Sequence, residues 1–280
     1  MDRAVKKIAI LPTLLTLGNA VCGFAAIVFA SKIDGLTPPE HVWYYLMVSA
    51  SLIFGAMVFD ALDGYVARLA KTASEFGGQL DSLCDAISFG AAPAFLLMRL
   101  GHQDWTGNKL VLKIYAIVAT LYMVCAILRL ARFNVENTPD PSSHKRFKGL
   151  PSPAAAGCIA SLAILRADPF DGWTYLSNDA AWAFVRFWAP LGGLVAALLM
   201  VSRWSYPHLT KQLLRGRRPF RHLVQVLLVF FAIALAPELT LFLLFWGYAL
   251  NGPVRYFLVR RPQSISVAAR ASSLDEAPPH

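Results

Sequence analysis

Apolar residues fall in runs of helix-spanning length along most of this chain, and polar residues collect between the runs. A helix that crosses a bilayer needs about 20 predominantly apolar residues. The pattern predicts eight such spans, at residues 11–31, 43–66, 80–100, 110–131, 151–166, 181–201, 221–236 and 238–258. The fifth and seventh are short. The seventh and eighth are separated only by Pro237 and Glu238, which predicts a tight helical hairpin. The expected fold is all-α, a polytopic transmembrane helix bundle.

Composition agrees with that pattern. Hydrophobic residues make up 56% of the 280 positions and charged residues 15%, against about 25% charged in a soluble domain. Six spans fill residues 1–201. Residues 202–260 hold a basic connection and two further spans, and residues 261–280 read as a disordered polar tail. The basic start, MDRAVKK, runs into an apolar stretch without a cleavage signal, so it reads as a retained first helix.

Charge sets the expected orientation. Most of the 26 Lys and Arg residues lie near the termini and in alternate connections. The positive-inside rule then makes both termini and those connections cytoplasmic, in the cytoplasmic (inner) membrane. The net charge of +9 is explained by topology and by attraction to anionic membrane lipids. The basic residues flank spans and form no soluble basic face, so a nucleic-acid partner is excluded. Cys22, Cys84, Cys125 and Cys158 lie in apolar segments without CxxC spacing, as small packing residues do. No histidines pair at metal-ligand spacing.

Against this apolar background four aspartates stand out. Asp60 and Asp63 close the second span, and Asp81 and Asp85 open the third. All four are expected at one depth, just inside the cytoplasmic face. An acidic side chain at membrane depth is costly and functional by default. At 100° per residue, Asp60 and Asp63 lie about 60° apart on one helix face. Gly64 and Ala67 share that face and Arg68 borders it. Gly77, Asp81 and Asp85 step by four, so they also share a face. Two antiparallel helices would bring the four carboxylates together, and their mutual repulsion calls for one or two divalent cations. Oxygen ligands without His or Cys suit Mg²⁺, Mn²⁺ or Ca²⁺. Small residues at Gly64 and Ala67 would let a nucleotide base or ribose lie against the backbone, and Arg68 could grip a phosphate. An ion-transport site is the alternative, but it leaves Gly64, Ala67 and Arg68 unexplained.

The spacing D-x2-D-G-x2-A-R-x8-G-x3-D-x3-D, starting at Asp60, resembles without departure the signature of the CDP-alcohol phosphotransferase family. The resemblance implies transfer of a phosphoalcohol from a CDP-linked donor, with release of CMP, inside a helical bundle whose core is residues 1–201. It implies two Mg²⁺ or Mn²⁺ ions held by Asp60, Asp63 and Asp81. Asp85 is then a ligand, the general base, or both. Gly64, Ala67 and Arg68, with Gly77, would hold the CDP moiety. Homodimers are compatible with the family.

Further segments are similar to the phosphatidylserine synthase branch: LPTLLTLGNAVCGF from Leu11, RLARFN from Arg129, FKGLPSPAAAG from Phe147 and LMVSRWSYP from Leu199. This implies CDP-diacylglycerol and L-serine as substrates. Other acceptors in the same chemistry are glycerol 3-phosphate, inositol, inositol phosphate and choline. Arg129 and Arg132, three residues apart, could hold the serine carboxylate or the donor phosphate, as could Lys148. Each also fits ordinary positive-inside flanking. Thr16 and Asn19 in the first span could contact cytidine or hydrogen-bond between helices. Ser88, one turn past Asp85, reads as a packing residue.

Overall fold

The computed structural model describes residues 2–34, 36–70, 74–101, 108–136, 149–167, 178–204, 206, 227–228 and 231–259. All regular structure among them is helical. Helix α1 is Asp2–Ser31 and α2 is Pro39–Ala70. Helix α3, Glu75–Asp85, runs without a break through a π-helical turn, Ala86–Ala91, into α4, Ala92–Leu100. Helices α5, Lys109–Glu136, α6, Ser152–Ala167, and α7, Asn178–Val201, complete the region predicted as the core. Helix α8 is Pro237–Val259.

Five stretches are long and apolar enough to cross a membrane: Leu11–Ser31, His41–Ala70, Glu75–Leu100, Lys109–Val135 and Ala183–Val201. They coincide with five predicted spans. The predicted fifth span is α6, shorter and buried on nearly every side. Ala155, Ala156, Ile159, Ala160, Leu162 and Ala163 are all fully buried. Its small side chains let α2, α4, α7 and α8 approach closely. Outward residues of the long helices, such as Leu14, Val21 and Phe24 on α1, are exposed and apolar, as a lipid-facing surface requires.

Several boundaries differ from the expectation, two of them beside the aspartates. The third span begins at Glu75, not 80, because Ser74 caps it: its hydroxyl accepts the Gly77 N–H at 3.0 Å. Polar first turns carry no hydrophobic signal, but a cap suffices to start them. Asp81 therefore lies in the second turn of its helix. The second span runs on to Ala70, four residues past its predicted end.

Half of the predicted seventh span lies outside the described residues. At its junction with α8, the Ala232 carbonyl accepts both the Ala236 N–H and the Thr240 hydroxyl, at 2.9 Å each. Eight residues of straight helix would span about 12 Å, so the chain bends sharply at Pro237. The predicted tail, 261–280, also lies outside the described residues.

Helix α8 docks onto α6. Gly157 faces Phe245 so closely that a Cβ would lie 2.1 Å from its ring, and the Trp246 indole N–H donates to the Cys158 carbonyl at 3.2 Å. About one turn further along α8, the Tyr206 hydroxyl donates to the Ala249 carbonyl at 2.9 Å. Burial holds the Tyr206 phenol above its ordinary pKa, so it stays a donor.

A candidate metal and phosphate site

The carboxylates of Asp60, Asp63 and Asp81 come together, with one oxygen from each within 4.8 Å of the others. The first two stand on α2 and the third on α3. These two helices make little direct contact; instead α1 packs against both. Sequence reasoning paired the two aspartate helices with each other and missed the helix between them. The third helix matters because it brings polar side chains to the cluster. The Thr16 hydroxyl lies 3.0 Å from the Pro12 carbonyl and also within reach of the Asp63 carboxylate. With a single proton, it donates to one of them at a time.

Asp63 is 5% exposed, while Asp60 and Asp81 are partly buried. Oδ2 of Asp63 and Oδ1 of Asp81 are buried without a hydrogen-bond donor. Such oxygens are costly unless something compensates them. Three clustered carboxylates with two undonated buried oxygens fit a divalent cation. The all-oxygen donor set is that of Mg²⁺, Mn²⁺ or Ca²⁺.

Asp85 stands outside this trio. It is nearly buried, at the last position of α3. Its Oδ1 accepts the Asn19 amide N–H at 3.0 Å. Asp60 and Asp81 are near enough to interact with it electrostatically, as is Arg129 from α5. Thr16 and Asn19, read from the sequence as cytidine contacts or interhelical bridges, thus both reach the aspartates.

The remaining predicted residues divide. Gly64 and Ala67 are half-buried beside Asp63, and Arg68 is exposed. A Cβ on Gly64 would meet only the Arg68 guanidinium, at 3.6 Å, so that arginine lies back over the glycine one turn earlier. Gly77 belongs to the first turn of α3 and binds its cap. Arg129 is half-buried and donates through Nη1 to the Ser152 hydroxyl at the start of α6, leaving a buried Nε without a partner. Arg132 is half-buried one turn further along α5. Lys148 lies outside the described residues.

Two positions were not foreseen as partners. Ser152 seats Arg129, and it is held by the preceding residues. Gly149 donates its N–H to the Trp204 carbonyl at 2.8 Å and Leu150 to the Leu199 carbonyl at 3.0 Å. Gly149 has φ +93°, a conformation open chiefly to glycine. Asn134 accepts a hydrogen bond from the Ser82 hydroxyl at 3.0 Å, tying the end of α5 to α3. The sequence signal for both was the motif-like runs RLARFN and GLPSP, whose contacts across the fold were not legible.

The sequence profile described as CDP-alcohol phosphatidyltransferase matches residues 9–201. The chain is 32% identical over 204 residues to a CDP-diacylglycerol–serine O-phosphatidyltransferase of Methanocaldococcus jannaschii, covering 73% of this chain and 77% of that one. It is 33% identical over 208 residues to an archaetidylserine synthase of Methanothermobacter thermautotrophicus, covering 74% and 73%. A CDP-diacylglycerol–serine O-phosphatidyltransferase of Mycobacterium tuberculosis is 33% identical over 185 residues, covering 65% of this chain. The match spans only 57% of the length of that mycobacterial protein.

Proposed function

Because the chain belongs to the CDP-alcohol phosphatidyltransferase family, we propose that it transfers the phosphatidyl group of CDP-diacylglycerol to L-serine, giving phosphatidylserine and CMP. The observation that carries this reading is the meeting of Asp60, Asp63 and Asp81, with undonated buried oxygens, beside a separately held Asp85. The names of the similar archaeal and mycobacterial proteins support serine as the acceptor.

Asp60, Asp63 and Asp81 would hold one or two Mg²⁺ or Mn²⁺ ions, with Asp85 at their border as a further ligand or as the base. When bound, such ions neutralise charge on a diphosphate and on the departing phosphate. Gly64, Ala67 and Gly77 would border the CDP moiety, and Arg68 would bind its phosphate. Arg129 and Arg132 would hold the serine carboxylate or the lipid phosphate, the role that the sequence also suggests for Lys148. Asp85 accepts the proton of the serine hydroxyl. The serine oxygen forms a bond to the phosphorus that carries the diacylglycerol, and the bond from that phosphorus to the CMP oxygen breaks. CMP leaves with the electron pair. The reading assigns no Ser, Cys or His as a covalent nucleophile, and it expects direct displacement with sequential kinetics.

The same reading places eight spans in the cytoplasmic membrane, both termini and the site on the cytoplasmic side, and the last two spans outside a six-span core. A homodimer belongs to it as well, testable by light scattering of detergent-solubilised protein.

The deciding experiment incubates the purified protein with CDP-diacylglycerol and a panel of alcohols: serine, glycerol 3-phosphate, inositol, inositol phosphate and choline. CMP release that requires serine and is abolished by a chelator is the expected result. Release with another alcohol overturns the acceptor. Metal flux in proteoliposomes without CMP release overturns the enzyme reading in favour of transport.

A further inference from the structure

The π-helical turn directly after Asp85 interlocks with α1, and the interlock ends on the Asp85 carboxylate. The turn is marked by the Ala92 N–H bonding to the Ile87 carbonyl, five residues back. π-turns of this kind are rare and collect at functional sites. Here one extra residue rotates α4 relative to α3 by about 100°. Asp85 can then face α1 while Leu96, Leu97 and Leu100 enter the core.

Three contacts hold the turn in place. The Tyr122 hydroxyl of α5, fully buried, donates to the Phe89 carbonyl at 3.2 Å. The Ser88 hydroxyl donates to the Asn19 carbonyl at 2.9 Å. Gly23, one turn beyond Asn19, lies against Ser88, where a Cβ would stand 2.3 Å from its Oγ and 2.6 Å from its Cα. The second obstacle is backbone, which no rotamer change removes. Ser88 is therefore a clasp between the turn and α1, and a packing role alone does not describe it.

Asn19 is the output of this arrangement. It is fully buried. Its backbone is fixed by Ser88 and its amide N–H is spent on Asp85 Oδ1 at 3.0 Å. The opposite amide orientation would set two oxygens against each other and lose the bond.

We propose that Asn19 is a positioning residue for Asp85, fixing the carboxylate so that its second oxygen is the one offered to the acceptor alcohol, and that the Gly23–Ser88 clasp fixes Asn19 in turn. The inference rests on the phosphatidyltransfer reading. Of the two sequence expectations for Asn19, it favours the interhelical hydrogen bond over the cytidine contact and gives that bond a role through Asp85.

The test measures kcat and KM for both substrates, CDP-diacylglycerol binding by calorimetry without acceptor, and the unfolding midpoint. The variants are Asn19→Ala, Ser88→Ala, Asp85→Asn and the Asn19→Ala/Asp85→Asn double variant. Misplacing a reacting group by about 1 Å costs about 10²-fold in rate. Asn19→Ala is therefore expected to lower kcat about 100-fold and to leave CDP-diacylglycerol affinity within about twofold. Ser88→Ala, which removes the bond to the Asn19 carbonyl and leaves the Asn19–Asp85 pair itself intact, is expected to lower kcat by a smaller factor with both KM values held. In the Asp85→Asn background, Asn19→Ala should cost nothing further, since the group it positions is gone. Weakened CDP-diacylglycerol binding at unchanged kcat would return Asn19 to the nucleotide and overturn the proposal. So would additive losses in the double variant. If Asn19→Ala does not fold, unchanged kinetics in Ser88→Ala refute the clasp. The assay uses whichever alcohol the unaltered protein accepts, so failure with serine counts against the acceptor assignment alone.

Discussion

Replacing Gly149 by alanine should damage both the fold and the seat of Arg129. Gly149 has φ +93°. An L-residue in left-handed backbone costs about 1–2 kcal/mol. The added Cβ would also lie 2.3 Å from the Met200 carbonyl oxygen and 3.1 Å from that of Ser202. Both obstacles are backbone atoms at the end of α7, so relief requires the 149–150 segment to separate from that end. Its two hydrogen bonds, to the Trp204 and Leu199 carbonyls, would lengthen. Overpacking of this kind costs about 1–3 kcal/mol. Together the loss is about 2–5 kcal/mol. Because Ser152 follows at once and holds the Arg129 guanidinium, turnover should fall in the fraction that remains folded. The assay is unfolding in mixed micelles followed by tryptophan fluorescence, with CMP release measured beside it. Gly247→Ala is the control: a Cβ there meets nothing within 4 Å and its φ is not positive, so helix propensity should stabilise it by about 0.5–1 kcal/mol. If Gly149→Ala unfolds with the unaltered protein, the strap between α6 and α7 does not hold this part of the site.

Other outcomes follow from the same contacts. Asp63→Asn and Asp81→Asn should each abolish measurable CMP release, since each removes a carboxylate from the trio; near-normal turnover in either would remove that residue from the site. Asp85→Asn should lower kcat by about 10²–10⁴-fold, the usual worth of a general base, with CDP-diacylglycerol binding largely retained in a calorimetric titration. Tyr206→Phe removes one buried hydrogen bond to the Ala249 carbonyl and should cost about 1 kcal/mol of stability without changing either KM, as read by unfolding and steady-state kinetics.

The long apolar helices and the four aspartates were legible in the sequence because each carries its own signal. Hydrophobic runs mark α1, α2, α5 and α7, and the fixed spacing from Asp60 to Asp85 places acidic residues on common helix faces. What escaped was contact between distant parts of the chain. Asn19 and Asp85 are 66 positions apart, and no periodicity reveals that an amide will meet that carboxylate. The π-turn was equally hidden, since AISFGA is a plain apolar run whose extra residue shows only once α1 and α5 hold it. The start of α3 was missed because a serine cap and polar first turns leave no hydrophobic trace. Arg129 stood out in the sequence as a candidate, but its seat on Ser152 depends on a strap formed by residues from two connections.

On this reading, side chains from α2 and α3 share a divalent cation. Titrating Mn²⁺ into the solubilised protein, with free Mn²⁺ followed by electron paramagnetic resonance, tests it without any substrate. The unaltered protein should bind Mn²⁺ saturably, with competition by Mg²⁺, and the binding should be lost in Asp63→Asn and in Asp81→Asn. Equal Mn²⁺ uptake by those variants and the unaltered protein would contradict it.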